Sequence, residues 1–189
     1  MIIAKNLDGT YFWAGYHKDI GNTKSISIND TGASYPEKTW NDTTPSASVF
    51  TLGASTETSA HRFNYTDEDF IAYCFHSVEG YSKVGSYKGG GSDYPFIYTG
   101  FKPAFFMTKV STTSDDWMML DNTRSPYNQM IISLAGNDAK VEISATGKAV
   151  DFCSNGIKMR NADNGLNQSG QTFVYIAFAE SPFKTSNAR

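Results

Sequence analysis

The residues of this 189-residue chain that could do chemistry are three histidines, two cysteines and two acidic clusters. His17, His61 and His76 lack the spacing of a metal pair, and no HExxH, cysteine cluster or Asp-x-Asp loop accompanies them. They read as surface side chains, with no metal and no cofactor expected. Cys74 and Cys153 form neither a CxxC nor a disulfide framework. Cys74 stands in the apolar run Phe70-Ile71-Ala72-Tyr73-Cys74-Phe75, where a free thiol is expected to be a small buried hydrophobe. A Cys74–Cys153 disulfide is the alternative. Asp67-Glu68-Asp69 and Asp115-Asp116 offer carboxylates, but glycoside hydrolysis needs two carboxyls held across a cleft. Beside Ser and Thr, such clusters read as solvated turns. No GxSxG elbow supports a nucleophilic serine, and Gly89-Gly90-Gly91-Ser92 lacks the Gly-Lys-Ser/Thr ending of a phosphate loop. The expectation is a protein with no catalytic residues.

Binding residues are easier to nominate. Trp40, Tyr81, Tyr87 and Tyr94 sit in polar, Gly-rich or Ser-rich surroundings rather than in apolar runs. Flat rings at loop tips stack on sugars or pack on a partner, so these four are the candidate ligand-binding residues. The competing reading is that they cap the ends of the fold. Trp13 and Trp117 occupy equivalent places in the chain and are assigned to the core.

The composition is aromatic, with 13 Phe, 11 Tyr and 3 Trp. Each buried ring of that size contributes roughly 1.5–3 kcal/mol, so a core needs no staples. The polar remainder is the Ser, Thr, Asn, Gly and Asp of turns between short strands. A net charge of −3 offers no general attraction for nucleic acid or anionic lipid. No apolar stretch approaches the roughly 20 residues of a membrane-spanning helix. Met1–Lys5 is too short for the apolar part of a signal peptide, so exit from a cell is expected to need lysis or a route not visible in the chain.

The two halves superpose at an offset of about 104 residues. Ile3-Ala4-Lys5 falls on Met107-Thr108-Lys109, Trp13 on Trp117, and His17 on Asp121. Phe70–Phe75 aligns with Phe173-Val174-Tyr175-Ile176-Ala177-Phe178, each followed by an acid and an aromatic. Phe50-Thr51-Leu52-Gly53 matches Phe152–Gly156 loosely. The β-branched, aromatic second run marks both as strands, apolar on two faces and so expected in the middle of the fold. Ser25–Asn29 and Lys140–Ser144 alternate with period two and are expected to be corresponding strands. The predicted fold is all-β: an antiparallel β-sandwich, jelly-roll or concanavalin-like, made of two diverged repeats. The units are expected at residues 1–85 and 96–189, joined by a Gly-rich connector at 86–95, or merged in one continuous sandwich. The second unit has a lead, Phe96–Pro103, that the first lacks before Met1. An open edge beside Met1–Lys5 is therefore expected, filled by another subunit or by upstream chain.

Several stretches resemble a known family: Phe70–Tyr87, Pro95-Phe96-Ile97-Tyr98-Thr99-Gly100-Phe101-Lys102-Pro103-Ala104, Leu120–Asn128, Asp151–Lys158 and Tyr175–Phe183. They are similar to an uncharacterised family of C-terminal domains in tail-fibre and other virion proteins of tailed phages, many of them marine. The resemblance covers most of the chain after Asp69. It implies a virion location, assembly in the host cytoplasm with release by lysis, and a lectin-like β-sandwich contacting the host surface. Implied partners are other virion subunits, a second copy of the chain, and a host glycan or protein. A purely architectural virion subunit is the rival reading, and a glycan depolymerase comes third. No catalytic residue is carried over.

Overall fold

The computed structural model describes residues 1–54, 61 and 63–183. They divide into two compact units, Met1–Phe75 and His76–Arg189, and residues 184–189 of the expected second unit lie outside the described residues. The first unit contains strands β1 (Ile2–Asn6), β2 (Ala14–Tyr16), β3 (Lys24–Ser27), β4 (Tyr35–Pro36) and β5 (Phe70–Cys74). The second contains β6 (Ser82–Lys88), β7 (Phe96–Tyr98), β8 (Pro103–Val110), β9 (Met118–Asp121), β10 (Ile132–Ala135) and β11 (Ile143–Ser144). It continues with β12 (Val150–Cys153), β13 (Gly156–Met159), the one-turn helix α1 (Asn164–Asn167) and β14 (Thr172–Ala179). All strand pairings are antiparallel. Among the described residues no helix is long and apolar enough to cross a membrane.

In the first unit the sheet order is β4-β3-β2-β1-β5. Alternation along β1 turns Ile2 and Ala4 inward. They pack with Ala14, Tyr16, Trp40 and Phe63, and Phe50, Leu52 and Phe70 complete the cluster. In the second unit a six-stranded sheet, β11-β10-β9-β8-β14-β6, is accompanied by the three-stranded sheet β12-β13-β7. Phe106, Met118, Leu120, Tyr175 and Ala177 from the large sheet share one core with Ile97, Val150, Phe152, Ile157 and Met159 from the small one. Two sheets closing on a single apolar layer make this unit sandwich-like.

The ladders of the two units run in matching registers. Ile2, Ile3 and Ala4 pair with Tyr16, Gly15 and Ala14; Phe106, Met107 and Thr108 pair with Leu120, Met119 and Met118. β5 lies on β1 through Phe70↔Asn6 to Cys74↔Ile2, and β14 on β8 through Phe173↔Val110 to Ala177↔Phe106. Gly15↔Ile26 and Ser25↔Tyr35 correspond to Met119↔Leu134 and Ser133↔Ile143. Side chains follow. Asn29 accepts from the Trp13 N–H at 2.8 Å, and Asn137 from the Trp117 N–H at 2.6 Å. Lys5 and Lys109 each donate to the carbonyl of the next residue. His17 and Asp121 each accept from the backbone N–H two residues on.

Several expectations are corrected. The strand equivalent to Ser25–Ser27 is Ser133–Ala135, because Lys140–Glu142 lies outside any strand and only Ile143–Ser144 pairs, as the partner of β10. Trp117 is buried, whereas Trp13 is half-exposed and stacks on Tyr73. Residues 76–85 belong with the second unit, since β6 pairs with β14 from Thr172 to Phe178. The expected connector is structured: Ser86–Lys88 ends β6, and the Asn167 side chain binds Gly90 N–H and Gly91 O. Gly89 has to be glycine, because a Cβ there would meet the Gln168 carbonyl at 2.1 Å. β5 is an edge strand rather than a central one, so Cys74 is exposed instead of buried, and both cysteines are free thiols. β1 is paired on both sides, by β2 and β5, so the open edge expected beside Met1–Lys5 is filled from its own unit.

Asn137 also donates to Asp116 at 2.9 Å. That bond first, and the Lys140 ammonium next, hold the Asp116 carboxyl below its ordinary value against some desolvation. Asn137→Ala and Asn29→Ala are each expected to cost about 0.5–1.5 kcal/mol in urea unfolding, the size of one net hydrogen bond. A carboxyl lowered in the folded state stabilises above its unfolded pKa and loses that contribution as pH falls through its folded pKa. Unfolding midpoints of Asp116→Asn should therefore fall less steeply than wild type below about pH 4.

Candidate functional site

The four nominated aromatics separate cleanly. Trp40 is fully buried, edge-on to Tyr16 and Phe50 and tilted against Phe63. Tyr87 points into the core: its ring stacks on Phe173 with centroids 4.9 Å apart, and its hydroxyl donates to the Leu166 carbonyl at 2.7 Å. Burial pushes that phenol far above its ordinary value. Both residues support the fold; Trp40 is sealed from solvent, whereas Tyr87 is half-buried against the core. For these two the competing reading, that they pack against the fold, matches their contacts, because only the tertiary structure shows where a loop side chain turns. Tyr81 and Tyr94 remain exposed. Tyr94 adopts a left-handed backbone, and its carbonyl accepts from Lys158.

Tyr81 adjoins an open cleft of about 330 Å³, lined by Ser77, Val78, Glu79, Gly80, Ser82, Lys83, Tyr98, Thr99 and Gly100. One wall is the tight turn into β6, closed by Val78 and Ser82, whose N–H groups each donate to the other's carbonyl at 3.0 Å. Gly80 supplies the positive φ of 69° that the turn requires. The other wall is the end of β7, where Thr99 and Gly100 N–H both donate to the Asn155 carbonyl. The Ser77, Ser82 and Thr99 hydroxyls are engaged by backbone groups and set the shape of the walls. Glu79, Lys83 and the 63%-exposed ring of Tyr98 are left to face a ligand. Beside them the Tyr81 and Phe183 rings stack at 5.4 Å, and both are solvent-exposed. The cleft thus offers one carboxylate acceptor, one ammonium donor and flat apolar faces. None of the four candidate aromatics lines it; the signal that could have found Tyr98 is the alternation of Phe96-Ile97-Tyr98, in which Ile97 is buried and both rings are exposed.

A second constellation escaped notice because it needs residues far apart in the chain. The Ser27 hydroxyl lies 3.1 Å from His61 Nε2, and His61 Nδ1 lies 2.7 Å from a Glu37 carboxylate oxygen. Thr39 donates to the same oxygen, and the Tyr35 ring stacks over the imidazole with its hydroxyl 3.1 Å from Nε2. Burial pushes the Tyr35 phenol up to about 12, with the Ser27 hydroxyl opposing the rise. This order of serine, histidine and carboxylate is that of a nucleophile relay. However, Ser27 is 3% and His61 1% exposed, so no substrate carbonyl can reach the hydroxyl. The network instead satisfies buried polar groups. Two of the histidines expected on the surface, His17 and His61, are therefore buried, and only His76 is exposed. Among the described residues no group of three His, Cys, Asp or Glu side chains is placed to hold a metal.

The fold and cleft define an all-β, antiparallel, sandwich-like domain with an open polar recess. The chain belongs to the family described as a domain of unknown function, DUF7483, which matches residues 1–182. No curated protein and no solved structure matches it. For the buried network, His61→Ala should lower unfolding free energy by about 1–3 kcal/mol, the cost of stranding buried partners. A fluorophosphonate probe should leave Ser27 of the native protein unlabelled; labelling there would make the relay catalytic.

Proposed function

We propose that the chain is a binding module of a phage virion, a tail-fibre or receptor-binding domain that holds a host-surface glycan in the cleft between the β6 turn and the end of β7. The observation that carries this reading is the cleft itself, in which Glu79 and Lys83 stand beside the exposed Tyr98 ring. A sugar presents hydroxyls that both accept and donate, and C–H faces that stack on aromatic rings. Its volume lies at the small end of the range for ligand pockets, which suits one or two sugar rings. Glu79 is the one carboxylate among the lining residues, so paired-carboxylate hydrolysis has no footing there and the depolymerase reading recedes.

The finer fold assignment, two diverged repeats in a lectin-like jelly-roll, is part of the same proposal. Its support is the matched registers together with the Asn29/Asn137, Lys5/Lys109 and His17/Asp121 correspondences. β14 returns beside β8 after the β8–β11 meander, a Greek-key connection of the kind jelly-rolls use. A purely architectural virion subunit is the second reading, and the exposed apolar strand β5 favours it.

Glycan-array and host-cell binding assays test the first reading. Tyr98→Ala and Lys83→Ala should each weaken binding about tenfold, equivalent to roughly 1.4 kcal/mol, without changing the unfolding midpoint. Wild-type binding that both variants retain would overturn the cleft as the site.

A further inference from the structure

We propose that β5 is a dimerisation edge, pairing antiparallel across a two-fold axis with β5 of a second copy of this chain. The backbone directions along β5 follow from its partner. Phe75 N–H donates to Met1 O at 2.8 Å, and Leu7 N–H donates to Asp69 O at 2.8 Å. Asp69, Ile71, Tyr73 and Phe75 therefore turn their polar groups to β1. Alternation turns the N–H and C=O groups of Phe70, Ala72 and Cys74 the other way. Among the described residues no strand meets them. The same three ladder places in the second unit are Phe173, Tyr175 and Ala177, and there β6 covers them opposite Tyr87, Gly85 and Lys83. One strand position is thus closed in one unit and open in the other.

The other edges of the two larger sheets are protected. β4 is two residues long and ends in Pro36, which has no N–H, and β11 is also two residues long. β6 is closed over its first half: the Ser77 hydroxyl binds Val84 N–H and O, and Val78 bridges Ser82. It also carries Lys83 and Lys88, a common guard against pairing. β5 has no charge and no proline, and Ile71 and Tyr73 are 36% and 48% exposed.

The sequence of β5 is self-complementary. A two-fold axis at Ala72 sets Ala72 against Ala72 of the second copy and Phe70 against its Cys74. These are the outward-turned residues, so each free N–H and C=O gains a partner. Ile71 then falls opposite Tyr73 of the second copy in a close, non-hydrogen-bonded pair, on the face where Trp13 already stacks on Tyr73. No charge enters the strand pair.

Sedimentation velocity on the full chain, from micromolar to near-millimolar concentration, tests this independently of glycan binding. Wild type should form a concentration-dependent dimer, in which maleimide labelling of the Cys74 peptide is slowed while that of the Cys153 peptide is not. Ala72→Pro removes an N–H that points away from β1, and Ile71→Lys places a charge on the exposed face. Each should weaken dimerisation tenfold or more with an unchanged circular dichroism spectrum. Should Ala72→Pro fail to fold, Ile71→Lys and Cys74 protection decide alone. A wild type that stays monomeric, a dimer surviving the substitutions, or an open-ended polymer would overturn the proposal.

Discussion

The interaction on which each unit depends is one long-range antiparallel ladder. In the second unit it joins β8 to β14, from Phe173↔Val110 to Phe178↔Phe105. In the first it joins β1 to β5, from Phe70↔Asn6 to Cys74↔Ile2. Closing this ladder sets β5 beside β1 and β14 beside β8, so the chain between the two strands must return to the edge it left. The first intervening strands form a meander on one side, β2–β4 or β9–β11, and in the second unit β12 and β13 then cross to the small sheet before β14 returns. Because side chains alternate strictly, the register of that ladder decides which residues of all the neighbouring strands meet the core.

Turns between these strands are held by side chains, which is why short strands suffice. Asn29 and Asn137 each accept the backbone N–H of the tryptophan that precedes β2 or β9. The Asn167 side chain binds three backbone groups around the Gly89–Gly91 bend and α1. The Ser27–His61–Glu37 network follows the same logic inside the first unit. Its geometry resembles a catalytic relay, and its burial makes it a strut. In low dielectric an unpaired polar group is costly, so satisfying buried partners is reason enough for such a network.

Both proposals rest on what the ladders leave uncovered. The turn that starts β6 and the end of β7 stand apart and leave a polar recess with aromatic margins. β5, lacking the neighbour that β14 has, presents backbone groups and apolar side chains together. A recess of mixed donors, acceptors and rings fits a small polar ligand, whereas a bare strand edge fits another strand.

Much of the fold was legible in the sequence, because strand periodicity and aromatic content are local properties. The all-β class and the strands around Ile3–Lys5, Phe70–Cys74, Phe105–Lys109 and Phe173–Phe178 could be read directly. The offset that sets His17 on Asp121 showed no shared charge; in the structure a ring nitrogen and a carboxylate oxygen accept the same kind of N–H. Tertiary structure decided the rest. The Phe70–Cys74 and Phe173–Ala177 runs look alike, yet one is exposed at an edge and the other is buried, because β6 pairs with only one of them. Trp40 and Tyr87 stand among polar neighbours and still turn inward, and the cleft joins segments separated by β6 and the Gly-rich bend. A chain specifies which faces must be covered; which segment arrives to cover each one depends on long-range pairing, and no window of sequence contains that.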